Sequence, residues 1–150
     1  MHIAEGRWLT ACVLLRKGSA MAIIREIIEA VDACKPNAFA EKEKLKWLAE
    51  LDGKIAADVF LMSIQDVQSL NYHWPEDLET ETLVRFPHDD LYRLWLMAKI
   101  DFGNGEYDKY QNTMAMYNAA YSNFVRWFAR TYDPAQGYKR NDEYEQMEIG

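Results

Sequence analysis

The stretch "EYDKYQNTMAMYNAAYSNFVRWFARTY", Glu106 to Tyr132, contains no Pro and no Gly. Its residues Tyr107, Tyr110, Met114, Tyr117, Tyr121, Phe124 and Phe128 recur at alternating spacings of three and four. That period lays them along one side of an α-helix and is incompatible with the two-residue period of a strand. A helix of this length with an aromatic seam cannot stand alone in water, so it must pack against other helices. A second row, Met116, Ala120, Asn123, Trp127 and Arg130, lies on an adjacent face, with the small residues Ala119 and Ser122 beside it. A helix that is apolar on two faces packs against two neighbours. We assign the seam to the core and the second row to an interface with another subunit.

The remaining sequence supplies partners of the same kind. Ile23, Ile24, Ile27, Ile28 and Val31 form one stripe in a helix running from Met21 to about Cys34, and Pro36 ends it. A second helix starts after Asn37 and buries Leu45, Leu48, Leu51, Ile55, Val59 and Met62. Gly53 inside it suggests a kink or a close helix contact. From about Gln65 to Asp90 the periodicity breaks into an acidic connection, within which Glu81–Phe86 reads as a short strand or hairpin arm. A third helix, Asp89 to Phe102, turns Leu91, Leu94, Trp95, Ala98 and Phe102 inward. "GNG" (Gly103–Gly105) then joins it to the opening helix as an antiparallel pair. The fold class is therefore all-α, a short bundle of about four main helices with a long acidic loop between helices two and three. The domain spans 21–134. Residues 135–150 form a polar tail.

Residues 1–20 read as an N-terminal extension. "MAIIREIIEAVD" opens a helix cleanly at Met21, and "RKGSAM" before it could be translated from a ribosome-binding site, so Met21 is the expected natural start. The apolar run Leu9–Leu15 is too short to span a bilayer, and Arg16 and Lys17 follow it where a signal-peptide cleavage region should be uncharged. No membrane is expected as a partner. Cys12 and Cys34 match no zinc spacing or disulfide framework and read as reduced thiols of a cytosolic protein.

The formal net charge is −7. A chain this acidic is poorly suited to gripping nucleic acid by counterion release. DNA is expected only as something that slides past. Catalytic signals are sparse. "DFG" (Asp101–Gly103) lacks the Gly-rich and catalytic-loop motifs that give this triplet meaning in kinases. Glu26, Glu29 and Asp32 share one helix face with the spacing of an all-α, magnesium-dependent nucleotide pyrophosphohydrolase, but no second acidic pair follows convincingly. His73 and His88 do not make a metal site by themselves. We expect no enzyme activity, no metal and no cofactor, with that hydrolase as the alternative.

"AKIDFGNGEYDKYQNTMAMYNAAYSNFVRWFARTY" (Ala98–Tyr132), "LKWLAELDGKI" (Leu45–Ile55) and "DLETETLVRFPHDDLYRLWLMAKID" (Asp77–Asp101) resemble a family of small proteins in tailed phages and prophages of Firmicutes. The similarity covers about Met21 to Tyr132 and leaves residues 1–20 without a counterpart. It implies a head–tail connector, also called an adaptor or head-completion protein. It also implies a ring of about a dozen copies under the portal, with the portal protein and a tail-completion or stopper protein as partners. The location so implied is the virion neck, after assembly in the bacterial host cytoplasm. In such a ring the acidic loop residues Glu76, Asp77, Glu79 and Glu81 would face the DNA channel and repel its contents. Met116, Ala120, Asn123, Trp127 and Arg130 would meet the next subunit. Tyr138, Tyr144 and Met147 of the tail would bind the portal. A phage helper that binds a host partner and is absent from the virion is a further alternative.

Overall fold

The computed structural model describes residues 22–131. The expected extension (1–20) and tail residues Tyr138, Tyr144 and Met147 lie outside that range. Helix α1 spans Ile24–Cys34, α2 Glu41–Asp58, α3 Ile64–Gln68, α4 Asp90–Gly103 and α5 Tyr107–Thr131. The chain is an all-α bundle, as its periodicity predicts. In place of the expected strand at Glu81–Phe86 there is a single antiparallel bridge, Ile23 to Glu81.

Helix α1 buries Ile24, Ile27, Ile28 and Val31 of the predicted stripe and adds Cys34, whereas Ile23, also expected in it, precedes the helix and is half-buried. Its start is capped from afar. Ile23 offers no side-chain cap, and the first free N–H groups donate instead to the long loop: Ile24 N to Thr80 O at 3.0 Å and Arg25 N to Leu78 O at 2.9 Å. The loop thus satisfies donors that a helix start leaves open. It ends at Lys35, which is extended as the residue before Pro36. Cys34 is disulfide-bonded and not the reduced thiol expected; the chain's other cysteine, Cys12, lies outside the described residues.

Helix α2 buries Leu45, Leu48, Leu51 and Ile55 but stops at Asp58, short of the expected Met62. Leu61 adopts the left-handed region (φ 53°), which turns the chain and lets Met62 N donate to Ala56 O at 3.0 Å. Of the two roles expected for Gly53, a kink or a close helix contact, the second is absent: a Cβ there would meet nothing within 4 Å. The short α3 was not legible as a helix. Ser63 caps it by accepting from Asp66 N at 3.2 Å, and none of its side chains is buried.

Helices α4 and α5 form an antiparallel hairpin. Phe102 lies against Tyr107, Trp95 against Tyr117 and His88 against Trp127, so one number rises as the other falls. Helix α4 buries Leu91, Tyr92, Leu96, Ala98 and Ile100. The expected inward Phe102 is instead 56% exposed. Along α5 the seam holds: Tyr117, Phe124 and Phe128 are buried, while Tyr110, Met114 and Tyr121 are half-buried. Tyr107, at the helix start, is exposed. The core is aliphatic between α1, α2 and α4 and becomes aromatic where α5 closes it.

Candidate functional site

Asp52 has no exposed surface. Its Oδ2 accepts from the Tyr72 hydroxyl at 2.6 Å and from Leu83 N at 3.3 Å; its Oδ1 accepts from the Tyr92 hydroxyl at 2.6 Å. The Tyr92 oxygen in turn accepts from Val84 N at 2.8 Å. One carboxylate on α2 thereby ties together both ends of the long loop and the start of α4. Burial pushes the Asp52 carboxyl up to about 6, against the pull of the two tyrosine hydrogen bonds. Burial, with the neighbouring Asp52 charge, raises both tyrosine hydroxyls. The site is closed to solvent and fully hydrogen-bonded, which suits a structural lock.

A second buried carboxylate, Asp101, belongs to the "DFG" triplet. The Lys35 ammonium pairs with its Oδ1, and the Thr113 hydroxyl donates to Oδ2 at 3.0 Å. Its backbone carbonyl accepts from Glu106 N at 2.9 Å. Asp101 therefore joins the connection after α1 to both arms of the α4–α5 hairpin. Gly103 lies so close to Phe39 that an added Cβ would come within 2.4 Å of the ring's Cζ. Gly105 takes φ +75°, a left-handed conformation that favours glycine.

Two of the three carboxylates considered for metal binding, Asp32 and Glu29, are occupied otherwise. Asp32 accepts from the nearly buried Lys44 ammonium at 2.6 Å and from Asn37 Nδ2 at 3.0 Å. Glu29 pairs with Arg25 at 3.2 Å. Among the described residues, no group of three or more His, Cys, Asp or Glu is placed to hold a metal ion. Nor is any helix among them long and apolar enough to cross a membrane.

The four loop carboxylates do not act as one set. Glu79 pairs with Arg25, whose guanidinium holds its carboxyl below the usual range. Asp77 accepts from His73 N at 2.6 Å and shapes the loop. Glu76 and Glu81 are exposed. The second row of α5 also divides. Met116, Asn123 and Arg130 are exposed, and Ala120 is half-buried. Trp127 is half-buried within its own chain, its ring 5.0 Å from that of His88 and 6.3 Å from that of Phe124. The desolvation that comes with this packing lowers the His88 pKa, against the pull of Asp90 and Asp89.

Two surface features escaped the sequence reading. Leu61 and Ile64 are 71% and 78% exposed, and with Met62 they form an apolar knob between α2 and α3. Phe60 beside them stacks on Phe128 at 4.9 Å, which places the knob at the C-terminal end of α5. At the other end, Trp95, Ala98, Lys99, Phe102, Tyr110 and Met114 line an apolar groove of about 270 Å³. The knob was hidden because Met62 continues the apolar spacing of α2 and so reads as core, while Leu61 and Ile64 stand off that spacing. The groove was hidden because Tyr110 and Met114 belong to the core seam. Comparison with protein-family models, curated proteins and solved structures finds no match to this chain.

Proposed function

We propose that this chain is a structural protein of a tailed phage, a head–tail connector that joins portal to tail as a ring of identical subunits. The observation that carries this reading is the amount of large apolar surface left outside. Leu61, Ile64, Phe86, Phe102, Tyr107 and Met116 are each more than half exposed. Scattered single apolar residues need no explanation, but Leu61 with Ile64 and Phe102 with Tyr107 stand side by side, which fits surfaces that meet other proteins. The resemblance of Ala98–Tyr132 to phage connector-like proteins gives those surfaces a context. The well-satisfied buried polar groups give a rigid body suited to assembly. Glu76 and Glu81 would add negative charge along a channel through which DNA passes. Of the row expected to meet the next subunit, Met116, Asn123 and Arg130 stay exposed, and we reassign these three to a neighbouring protein of the neck, the portal or the stopper.

The test is quantitative mass spectrometry of purified, DNA-filled virions, with this chain measured against the portal protein. A ratio near one is expected. Absence from the particle overturns the connector reading in favour of a helper that leaves before maturation.

A further inference from the structure

We propose that copies of this chain associate head to tail, the Leu61–Met62–Ile64 knob of one entering the Trp95–Phe102–Tyr110–Met114 groove of the next. The inference deepens the connector reading by naming its subunit contact, and the ring it would build rests on that reading.

The two features are unlike one another and lie apart. Phe128 marks the knob end of α5 and Tyr110 the groove end, a separation of roughly 27 Å at the rise of an α-helix. A contact between two different patches on the same molecule is heterologous, and repeated it closes into a ring or runs on as a filament. The same contact made reciprocally about a two-fold axis would close a dimer that covers both patches, so a sedimentation series that stops at the dimer overturns the head-to-tail arrangement and one that continues to larger species supports it.

Charge selects the same pairing. Residues 58–68 contain Asp58 and Asp66 and no basic residue. The groove is edged by cations: Lys99 Nζ sits 4.8 Å from the Trp95 ring centre, and Lys54 Nζ sits 5.7 Å from it. Glu106, in the turn beside the groove, is already paired with Lys109 at 3.2 Å. An acidic apolar knob thus meets a basic aromatic groove, and like-charged pairings are disfavoured.

The knob is also held in an unusual conformation. Leu61 adopts φ 53°, where a leucine is strained. Glycine would serve the turn better if the turn were all that mattered. The side chain is 71% exposed, so it contributes little to this chain's own core. Strained, exposed and apolar together describe a residue whose side chain is used by something outside the molecule.

The experiment is sedimentation velocity of the full chain from micromolar to about 1 mM, a range that detects contacts of modest strength. Wild type is expected to self-associate with concentration. Leu61→Gly should weaken association about tenfold or more while its melting temperature stays the same or rises. Lys99→Glu and Asp66→Lys should each weaken it, and the two changes in one chain should restore it. Ile64→Arg removes the knob and Phe102→Glu spoils the groove, so each alone should remain monomeric. Mixed, they should form a one-to-one pair, because one intact knob and one intact groove remain. A wild type that stays monomeric to about 1 mM overturns the proposal, as does a mixture that fails to pair or a Leu61→Gly variant that associates normally. These outcomes are separate from the virion measurement. A chain found in the neck without this contact sinks the interface alone, and head-to-tail association by a chain absent from virions sinks the connector reading alone.

Discussion

Asp52 and Asp101 are both fully buried carboxylates, and they are balanced in different ways. Asp101 faces the Lys35 cation, whereas the partners found for Asp52 are hydroxyls and an amide. Hydrogen bonds to neutral donors offset only part of the cost of drying a charge. The Asp52 carboxyl therefore titrates near 6 when folded, against an ordinary value of 3.8. Between those pH values the native state binds more protons than the unfolded chain, so stability falls as pH rises through the window. From this group alone the protein should be about 1 kcal/mol more stable at pH 5 than at pH 7. Urea midpoints of wild type and Asp52→Asn at the two pH values check this. The variant should lack that share of the pH dependence, and identical slopes in the two proteins would show that the carboxyl is not the group responsible. Asp101 calls for a different substitution. Asp101→Ala strands the Lys35 ammonium and the Thr113 hydroxyl and should cost about 3 kcal/mol. Replacing Asp101 by Leu and Lys35 by Met together should recover most of that loss in the same denaturation assay.

The elements show which signals local sequence carries. Helix α5 was legible because its seam repeats over seven residues with no interruption. The start of α1 was not, since its cap is supplied by Leu78 and Thr80, more than fifty residues away. The end of α2 was misplaced because Val59 and Met62 continue the apolar spacing of Leu45–Ile55 although Leu61 has already turned the chain. Periodicity reports which residues could share a face and is blind to a left-handed residue within the run. Phe102 fits an inward spacing too, yet the turn at Gly103 carries it outside against Tyr107 and Tyr110. That turn depends on close packing with Phe39, so Gly103→Ala should destabilise the hairpin by about 2 kcal/mol. Phe39→Leu in the same chain should return part of the loss, because it vacates the ring edge the new methyl group would strike. Thermal melts of the single and double variants measure the recovery. No recovery would mean that the contact with Phe39 is not what requires glycine there.

For the molecule as a whole, fold class was readable and the exposed knob and groove were not. A core is specified by repetition within one helix, whereas a surface is specified by side chains that distant segments bring together. The groove comes from two helices, α4 and α5, and the knob, although one short stretch, is left outside only because the chain turns at Leu61. The second row of α5 shows the same limit within one element. Its five residues share a spacing, but Trp127 is packed against His88 and Phe124, so the loop before α4 has claimed part of that face. Trp127→Ala should therefore cost about 3 kcal/mol of stability and is a poor probe of assembly. Met116 is the better one. It is 60% exposed, and an exposed substitution outside buried features shifts stability by about 0.5 kcal/mol or less. Met116→Glu should fold and melt like wild type. It should also self-associate like wild type, because Met116 lies outside both knob and groove. In a connector whose outer α5 row meets another neck protein, the same change should lower incorporation into particles in a phage complementation assay. A buried carboxylate without a partner at such a contact is costly. Particles that carry Met116→Glu at the wild-type ratio to portal would show that this row faces solvent in the virion and that the neck contact lies elsewhere.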